Sequence, residues 1–177
     1  MDKATRLRRL LEGTGPVLAA GAHNGLTARL VEESGFHAVW ASGFEISASH
    51  AVPDANILTM SEALEAARDI NEACGLPVIA DGDNGFGNAI NVQRAVQEFE
   101  KAGIAALCIE DNEFPKRCSF YAGVRRSLVS AEEHAGKVRA AVRARTDPGF
   151  LVIARTEALI VGLGVEEALA RAGAYAE

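Results

Sequence analysis

Two apolar runs in this sequence end in acids. Pro77-Val78-Ile79-Ala80 empties into Asp81-Gly82-Asp83 and a turn carrying Gly85 and Gly87, and Ala106-Leu107-Cys108-Ile109 leads into Glu110-Asp111. Side chains two apart share a face of an extended chain, so Asp81 and Asp83 point one way if the strand is still extended there. If the two runs are neighbouring parallel strands, Glu110 brings a third acid to the same rim at the equivalent height. Three such carboxylates suit a hard divalent cation, with one as direct ligand and two holding the waters that Mg²⁺ keeps. Acids at strand ends also cap helices or sit in water, and a lone Asp reads that way. An Asp-Gly-Asp pair with two glycines and a Glu on the next strand reads as metal or substrate chemistry.

A third apolar run, Phe150-Leu151-Val152-Ile153-Ala154, opens onto Arg155. A guanidinium there offers a planar fork to a carboxylate or phosphate, or serves a structural salt bridge. Residues 110–129 form a long loop holding Lys116, Arg117 and Cys118. Such a cationic lid could close over an anion and exclude water, and a solvated charge pair is the plainer use. Beside two cations, Cys118 is expected to have a lowered pKa and to act as acid, base or nucleophile. Cys108, inside an apolar run, and Cys74, near a helix end, read as packing. Ser42-Gly43-Phe44 could present backbone N–H groups to an anion. No two histidines have metal-ligand spacing. His23 and His50 fall on the ligand side and could bind substrate, whereas His37 and His134 read as peripheral.

The elements that must position these groups follow from hydrophobic period and turn signals. Residues 4–12 read as a short amphipathic helix covering one end of the fold. Strands are predicted at 17–20, 38–41, 77–81, 106–109 and 150–154. Helices are predicted over 24–34, 61–73 and 90–101, from 130 and from about 165. Thr59-Met60-Ser61-Glu62 has capping-box spacing, and Glu133 gives the same relation to Ser130. The connection over 42–59 is long for a compact fold and therefore reads as functional. It carries Ser42, Gly43, Phe44, Glu45, His50 and Asp54. Five consecutive βα units with near-continuous apolar strands mean a parallel sheet buried on both faces. Right-handed crossovers permit an open doubly wound sheet or five eighths of a closed barrel. In either, the ligand lies at the carboxyl ends of the strands.

Composition narrows the partners. The chain has 177 residues, 49% of them hydrophobic, enough for a real core in a single domain over 1–177. The net charge is −6 and Lys and Arg are dispersed among acids, so nucleic acid and anionic membrane surfaces are not expected as partners. A small-molecule ligand fits better. No apolar run approaches the ~20 residues of a membrane span, and residues 1–10 lack the core of a signal peptide, so a cytoplasmic protein is expected. Three cysteines without CxxC spacing suggest neither a disulfide framework nor a zinc site.

The ordered motifs Trp40-Ala41-Ser42-Gly43, Val52-Pro53-Asp54, Asp81-Gly82-Asp83-Asn84-Gly85-Phe86-Gly87-Asn88, Glu110-Asp111-Asn112-Glu113-Phe114-Pro115-Lys116-Arg117-Cys118-Ser119 and Ala154-Arg155-Thr156-Glu157-Ala158 resemble the phosphoenolpyruvate mutase and isocitrate lyase superfamily. Ala22-His23-Asn24-Gly25-Leu26 and Glu157-Ala158-Leu159-Ile160 are most similar to the mutases and the phosphonopyruvate hydrolases within it. The resemblance implies a (β/α)₈ TIM-type barrel with its last helix exchanged between subunits, a homotetramer built from such pairs, and Mg²⁺ in the site. Five βα units are then the first part of a longer chain. It further implies Asp81 as metal ligand, with Asp83 and Glu110 on metal-bound waters. Trp40, Ser42, Gly43 and Phe44 would lie at the oxo-acid end of the substrate, Arg155 on its carboxylate, and Asp54, Lys116, Cys118 and Ser119 near the transferring group.

The mutase loop reads Glu-Asp-Lys-x-Phe-Pro-Lys-x-Asn-Ser. Here Asn112 replaces its first Lys and Cys118 its Asn. Hydrolases carry Thr at the latter place, and the carbon–carbon lyases have Lys-Lys/Arg-Cys-Gly-His with a proton-donating Cys. Lys116-Arg117-Cys118 matches the lyases and Ser119-Phe120 does not. The implied activity is interconversion of phosphoenolpyruvate and phosphonopyruvate through a Mg²⁺-stabilised enolate. The alternatives are phosphonopyruvate hydrolysis, carbon–carbon cleavage of the isocitrate or methylisocitrate lyase type using Cys118, and a non-catalytic metal-dependent oxo-acid binding protein.

Overall fold

A computed structural model describes residues 1–118, 121–123 and 125–177. In chain order the elements are α1 (Lys3–Leu11), β1 (Ala19–Ala22), α2 (Gly25–Glu33), β2 (Ala38–Ala41), α3 (Gly43–Ser49), α4 (Met60–Ala73), β3 (Val78–Asp81), α5 (Ala89–Lys101), β4 (Ala106–Glu110), α6 (Ala131–Ala144), β5 (Leu151–Arg155) and α7 (Gly164–Ala176). The five strands are parallel and lie in the order β1-β2-β3-β4-β5. Each crossover therefore advances to the next position in the same direction. A doubly wound sheet reverses its order at a switch point, and this one does not. The architecture is an α/β partial barrel of five βα units.

Burial explains why these segments pair. All five residues of β4 are buried, as a central parallel strand covered on both faces requires. The main core packs Val39, Val78, Leu107 and Ile109 of the strands against Ala28 and Val31 of α2, Ile70 of α4, Val92 and Phe99 of α5, and Val138 of α6. Helix α1 lies across the opposite end from the acids, with Leu7 fully buried beside Ala38, Ala105 and Ala106 at the strand starts. Among the described residues no helix is long and apolar enough to cross a membrane.

Several helix starts are fixed by their own side chains. Thr59 and Glu62 form the reciprocal cap that their spacing predicts, with Glu62 Oε2 accepting from Thr59 N at 2.7 Å and Thr59 Oγ1 accepting from Glu62 N at 3.3 Å. At α6 one half of the predicted box forms. Ser130 Oγ accepts from Glu133 N at 3.1 Å, while the Glu133 carboxylate lies 4.0 Å from Lys137 Nζ.

Some expectations need correction. Strand β1 runs two residues later than 17–20, because it continues through Gly21, where the Glu45 side chain crosses. A Cβ at residue 21 would meet Glu45 Oε1 at 2.0 Å, so any larger residue there would have to displace the Glu45 carboxylate. The connection 42–59 is not wholly irregular: it contains α3, a seven-residue helix capped by Ser42, whose Oγ accepts from Glu45 N at 3.2 Å. Its Gly and Ser content hides it from propensity. Both β4 and β5 extend one residue beyond the predicted ends, placing Glu110 and Arg155 in the ladder as paired residues. His134 is not peripheral: it is fully buried in α6, edge-on to Tyr175 with ring centroids 4.6 Å apart.

Candidate active site

The carboxyl ends of the strands assemble the chemistry. Strand β3 ends at Asp81, whose Oδ1 accepts from Asp83 N at 3.1 Å and whose Oδ2 accepts from Gly43 N at 3.3 Å. Gly43 packs closely on the acids, since a Cβ there would lie 3.1 Å from Asp81 Oδ2 and 3.3 Å from Asp83 Oδ1 and would press both carboxylates aside by a few tenths of an ångström. Asp83 does not continue the strand. Its φ of +48° is left-handed, so strand alternation does not align the two acids, and the turn re-aims Asp83 instead. Nor does Glu110 stand level with Asp81. The register pairs Asp81 with Cys108, and Glu110 N donates to Asp83 O at 2.8 Å.

Lys116 does not float on an exposed lid. It is 5% exposed, and its ammonium pairs with Asp54 at 3.0 Å, with Asp83 in a close contact, and with Glu110 at 3.9 Å. Burial alone would lower its pKa, but the charges of Asp83, Asp81, Glu110 and Asp54 outweigh that and hold it protonated. Desolvation pushes the carboxyls up: Asp83 to about 7, with the Asp81 charge adding, and Glu110 to about 7 against the pull of Lys116. Arg155 stands beside Glu110, its Nε 3.2 Å from Oε2, and Nε donates to Glu157 Oε1 at 2.8 Å.

A cavity of about 290 Å³ is lined by Trp40, Ser42, Phe44, Asp54, Asp81, Glu110, Lys116, Cys118 and Arg155 together with Asn112 and Ile160. Gly43 and Asp83 line an adjoining smaller space shared with Asp54 and Asp81. Ser119 lies outside the described residues. His23 and His50 are not among the lining residues: His23 Nδ1 is 3.8 Å from Glu45 Oε2, and His50 Nδ1 is 3.0 Å from Ile46 O. The Cys118 thiol is buried at the cavity wall, while its flanking cations are engaged elsewhere. Lys116 points into the acids, and Arg117 donates to Arg125 O at 3.0 Å.

Sequence reasoning missed Asn56, Asn112 and Glu157. Asn56, held at φ +55°, knits three loops: its Nδ2 donates to Asp83 Oδ2 at 2.9 Å, and its Oδ1 accepts from Lys116 N at 2.5 Å and Asn84 Nδ2 at 3.2 Å. Asn112 Nδ2 donates to Glu110 Oε1 at 2.9 Å. For Asn56 the available signal was its presence in a long loop, and for Asn112 it was also the replacement of the mutase loop's first Lys.

Among the described residues no three His, Cys, Asp or Glu side chains close on a single point as a ligand cage. The donor set nevertheless fits a cation that keeps most of its waters. Asp81 reaches the cavity, and Glu110 Oε2 is a buried oxygen without a hydrogen-bond partner. Asp83 is committed to Lys116 and Asn56, which confines it to an outer position.

Residues 7–177 match the family model for phosphoenolpyruvate phosphomutase. The chain belongs to this family. It is 51% identical over 177 residues to the phosphonopyruvate hydrolase of Variovorax sp. (strain Pal2), covering all of this chain and 61% of that protein. It superposes with a TM-score of 0.95 on the crystal structure of phosphoenolpyruvate phosphomutase from Streptomyces platensis subsp. rosaceus, at 53% identity over 98% of this chain and 60% of that one. A phosphonopyruvate hydrolase crystallised with oxalate and Mg²⁺ superposes with a TM-score of 0.91, at 49% identity over 99% of this chain and 60% of that one. The chain thus spans about three fifths of the length of these relatives. Their names attach a hydrolase and a mutase to one enzyme family, and that family includes a divalent-metal complex.

Proposed function

We propose that this chain supplies the enolate-stabilising site of an enzyme interconverting phosphoenolpyruvate and phosphonopyruvate. One observation carries the reading: Arg155, the protonated Lys116 and the oxygens of Asp81 and Glu110 meet in a single cavity at the strand ends. Arg155 binds the substrate carboxylate, and Ser42 and Phe44 bound its oxo-acid end. Gly43 acts through Asp81, since its N–H is already donated there. Asp81 would hold a Mg²⁺ ion, with Glu110 and Asp83 on metal-bound waters, and the bound ion would supply positive charge against a developing enolate. In the forward sense the carbon–phosphorus bond breaks, its electron pair enters the enolate, and the enolate oxygen then takes the phosphoryl group. That group is metaphosphate-like while in transit, so its stabilisation is mainly electrostatic. Lys116, anchored by Asp54, presents a permanent cation to it, and Cys118 completes the wall. A homotetramer of helix-exchanging pairs extends the same reading and is checked by light scattering of the full-length protein.

Two observations favour second readings. The identity to a phosphonopyruvate hydrolase supports capture of the phosphoryl group by water. A buried thiol lining the cavity at Cys118 supports proton delivery to an enolate carbon, as a carbon–carbon lyase needs. Phosphorus NMR of phosphonopyruvate with the full-length protein and Mg²⁺ separates these readings. Phosphoenolpyruvate marks the mutase and inorganic phosphate the hydrolase. An unchanged spectrum rejects both, leaving the lyase or an oxo-acid binding protein. Cys118→Ala sharpens the choice among the catalytic readings: total loss of turnover fits proton transfer, and modest loss fits packing against the phosphoryl group.

A further inference from the structure

A guanidinium can hold a carboxylate in a fork on its side edge, Nε with Nη2, or on its end edge, Nη1 with Nη2. In Arg155 the side edge is taken by Glu157: Nε donates to Oε1 at 2.8 Å, and Nη2 lies 2.5 Å from the same oxygen. Among the described residues Nη1 makes no hydrogen bond, so the end edge is the one left for a ligand in the cavity that Arg155 lines. A competitor for the side edge stands on the neighbouring strand. Glu110 is the register partner of Arg155, and its Oε2 approaches Nε to 3.2 Å without making a hydrogen bond.

Glu157 is itself fixed. It is 3% exposed, and its backbone N–H donates to Asp111 Oδ1 at 2.8 Å. Asp111, fully buried, also accepts from Thr156 Oγ1 at 2.7 Å, Tyr175 Oη at 2.6 Å and Arg171 Nη1 at 3.2 Å. Helix α7 thereby ties the ends of β4 and β5 into one rigid rim.

We propose that Glu157 is a positioning residue: by occupying the side edge of Arg155 it presents the end edge to the substrate carboxylate and keeps the guanidinium from collapsing onto Glu110. The consequence is twofold. The carboxylate of the substrate is met in one orientation, and Glu110 Oε2, ion-paired with Nε but not hydrogen-bonded, keeps its hydrogen-bonding capacity for the cavity. The inference rests on Arg155 being the carboxylate ligand, as proposed above.

Oxalate, a planar dicarboxylate that resembles an enolpyruvate, is the probe. Its affinity for the full-length protein is measured by calorimetry in Mg²⁺ for wild type, Arg155→Ala, Glu157→Gln, Glu157→Ala and the double variant Arg155→Ala/Glu157→Ala, with thermal melts alongside. Glu157→Ala is expected to weaken oxalate on the order of tenfold, the worth of one charge-assisted hydrogen bond. Glu157→Gln, which keeps an acceptor oxygen, is expected to weaken it less. In the Arg155→Ala background the same change should add nothing, since a positioning residue acts through its partner. Full multiplication of the two losses, or an unchanged affinity in Glu157→Ala beside a lowered melting temperature, overturns the positioning role and leaves Arg155 as ligand. Unchanged oxalate binding in Arg155→Ala overturns the reading of Arg155 itself, and this inference with it. If Glu157→Ala does not fold, Glu157→Gln carries the test alone, and wild-type affinity in that variant refutes the role.

Discussion

Replacing Lys116 by Met removes the cation at the centre of the acid cluster while keeping most of its apolar bulk. The ammonium is 5% exposed and pairs with Asp54 and Asp83, with Glu110 at 3.9 Å. Stripping one partner from a buried pair costs about 3–5 kcal/mol when the remaining charge cannot escape. Here it escapes partly by protonation, because Asp83 and Glu110 already titrate near 7, well above an unfolded carboxylate. A carboxyl with a raised folded pKa contributes stability that is complete below about pH 4 and is lost as pH rises through the folded value. Without Lys116 both values rise further, so the loss continues to higher pH in the variant than in the wild type. The stability gap is therefore expected to be small at pH 5.5 and to reach about 3–5 kcal/mol at pH 8.5. Urea unfolding of the full-length protein in EDTA, fitted at both pH values, measures it. A gap that is equal at the two pH values, or larger at the acidic one, refutes the arrangement of Lys116 as counter-ion to the cluster.

Three further expectations follow from the same geometry. Asp81→Asn keeps the shape of the turn and removes the charge facing the cavity, so Mg²⁺-dependent binding of oxalate should fall below detection in calorimetry while the melting temperature without metal stays the same or rises. Asn56→Ala deletes one donor and one doubly used acceptor and places a Cβ-branchless but L-restricted residue at φ +55°; a loss of about 2 kcal/mol in urea unfolding is expected, with Asn56→Gly recovering the backbone part of it. His134 is buried, and desolvation depresses its pKa to about 4, with Asp111 and the Ile109 backbone pulling the other way without cancelling it. A depressed histidine contributes stability that is complete above about pH 6.5 and is lost as pH falls toward the folded value, up to about 3 kcal/mol. His134→Phe should flatten that part of the stability profile, and an unchanged slope between pH 4 and 6.5 would contradict the assignment.

Local chemistry wrote much of this protein plainly. The apolar runs at 38–41 and 106–109 are strands at those places because residues covered on both faces must be apolar throughout. Thr59 and Glu62 start α4 because each can satisfy the other's backbone donor without help from the rest of the chain. Asp81, Glu110 and Arg155 stood out as candidates because a polar group at the carboxyl end of a buried strand has few structural uses. Their sharing of one cavity was an inference from parallel order, and the sequential strand order brought them together.

What the primary order left open depended on contacts between distant segments. Whether five βα units form a barrel arc or a doubly wound sheet is decided by which strands pair, a long-range choice that each unit by itself permits either way. The height of Glu110 beside Asp83 came from the register of β3 with β4, which no local pattern encodes. Lys116 read as a lid cation closing over an anion, or as half of a solvated charge pair, because it sits beside Arg117 in a long loop. Its burial arises from Asp54 and Asp83, which belong to two other loops. The same holds for Asn56, His134 and Glu157. A side chain's charge, shape and hydrogen-bonding capacity are set by its own residue type, but the desolvation and the partners that turn them into chemistry are supplied by segments tens of residues away.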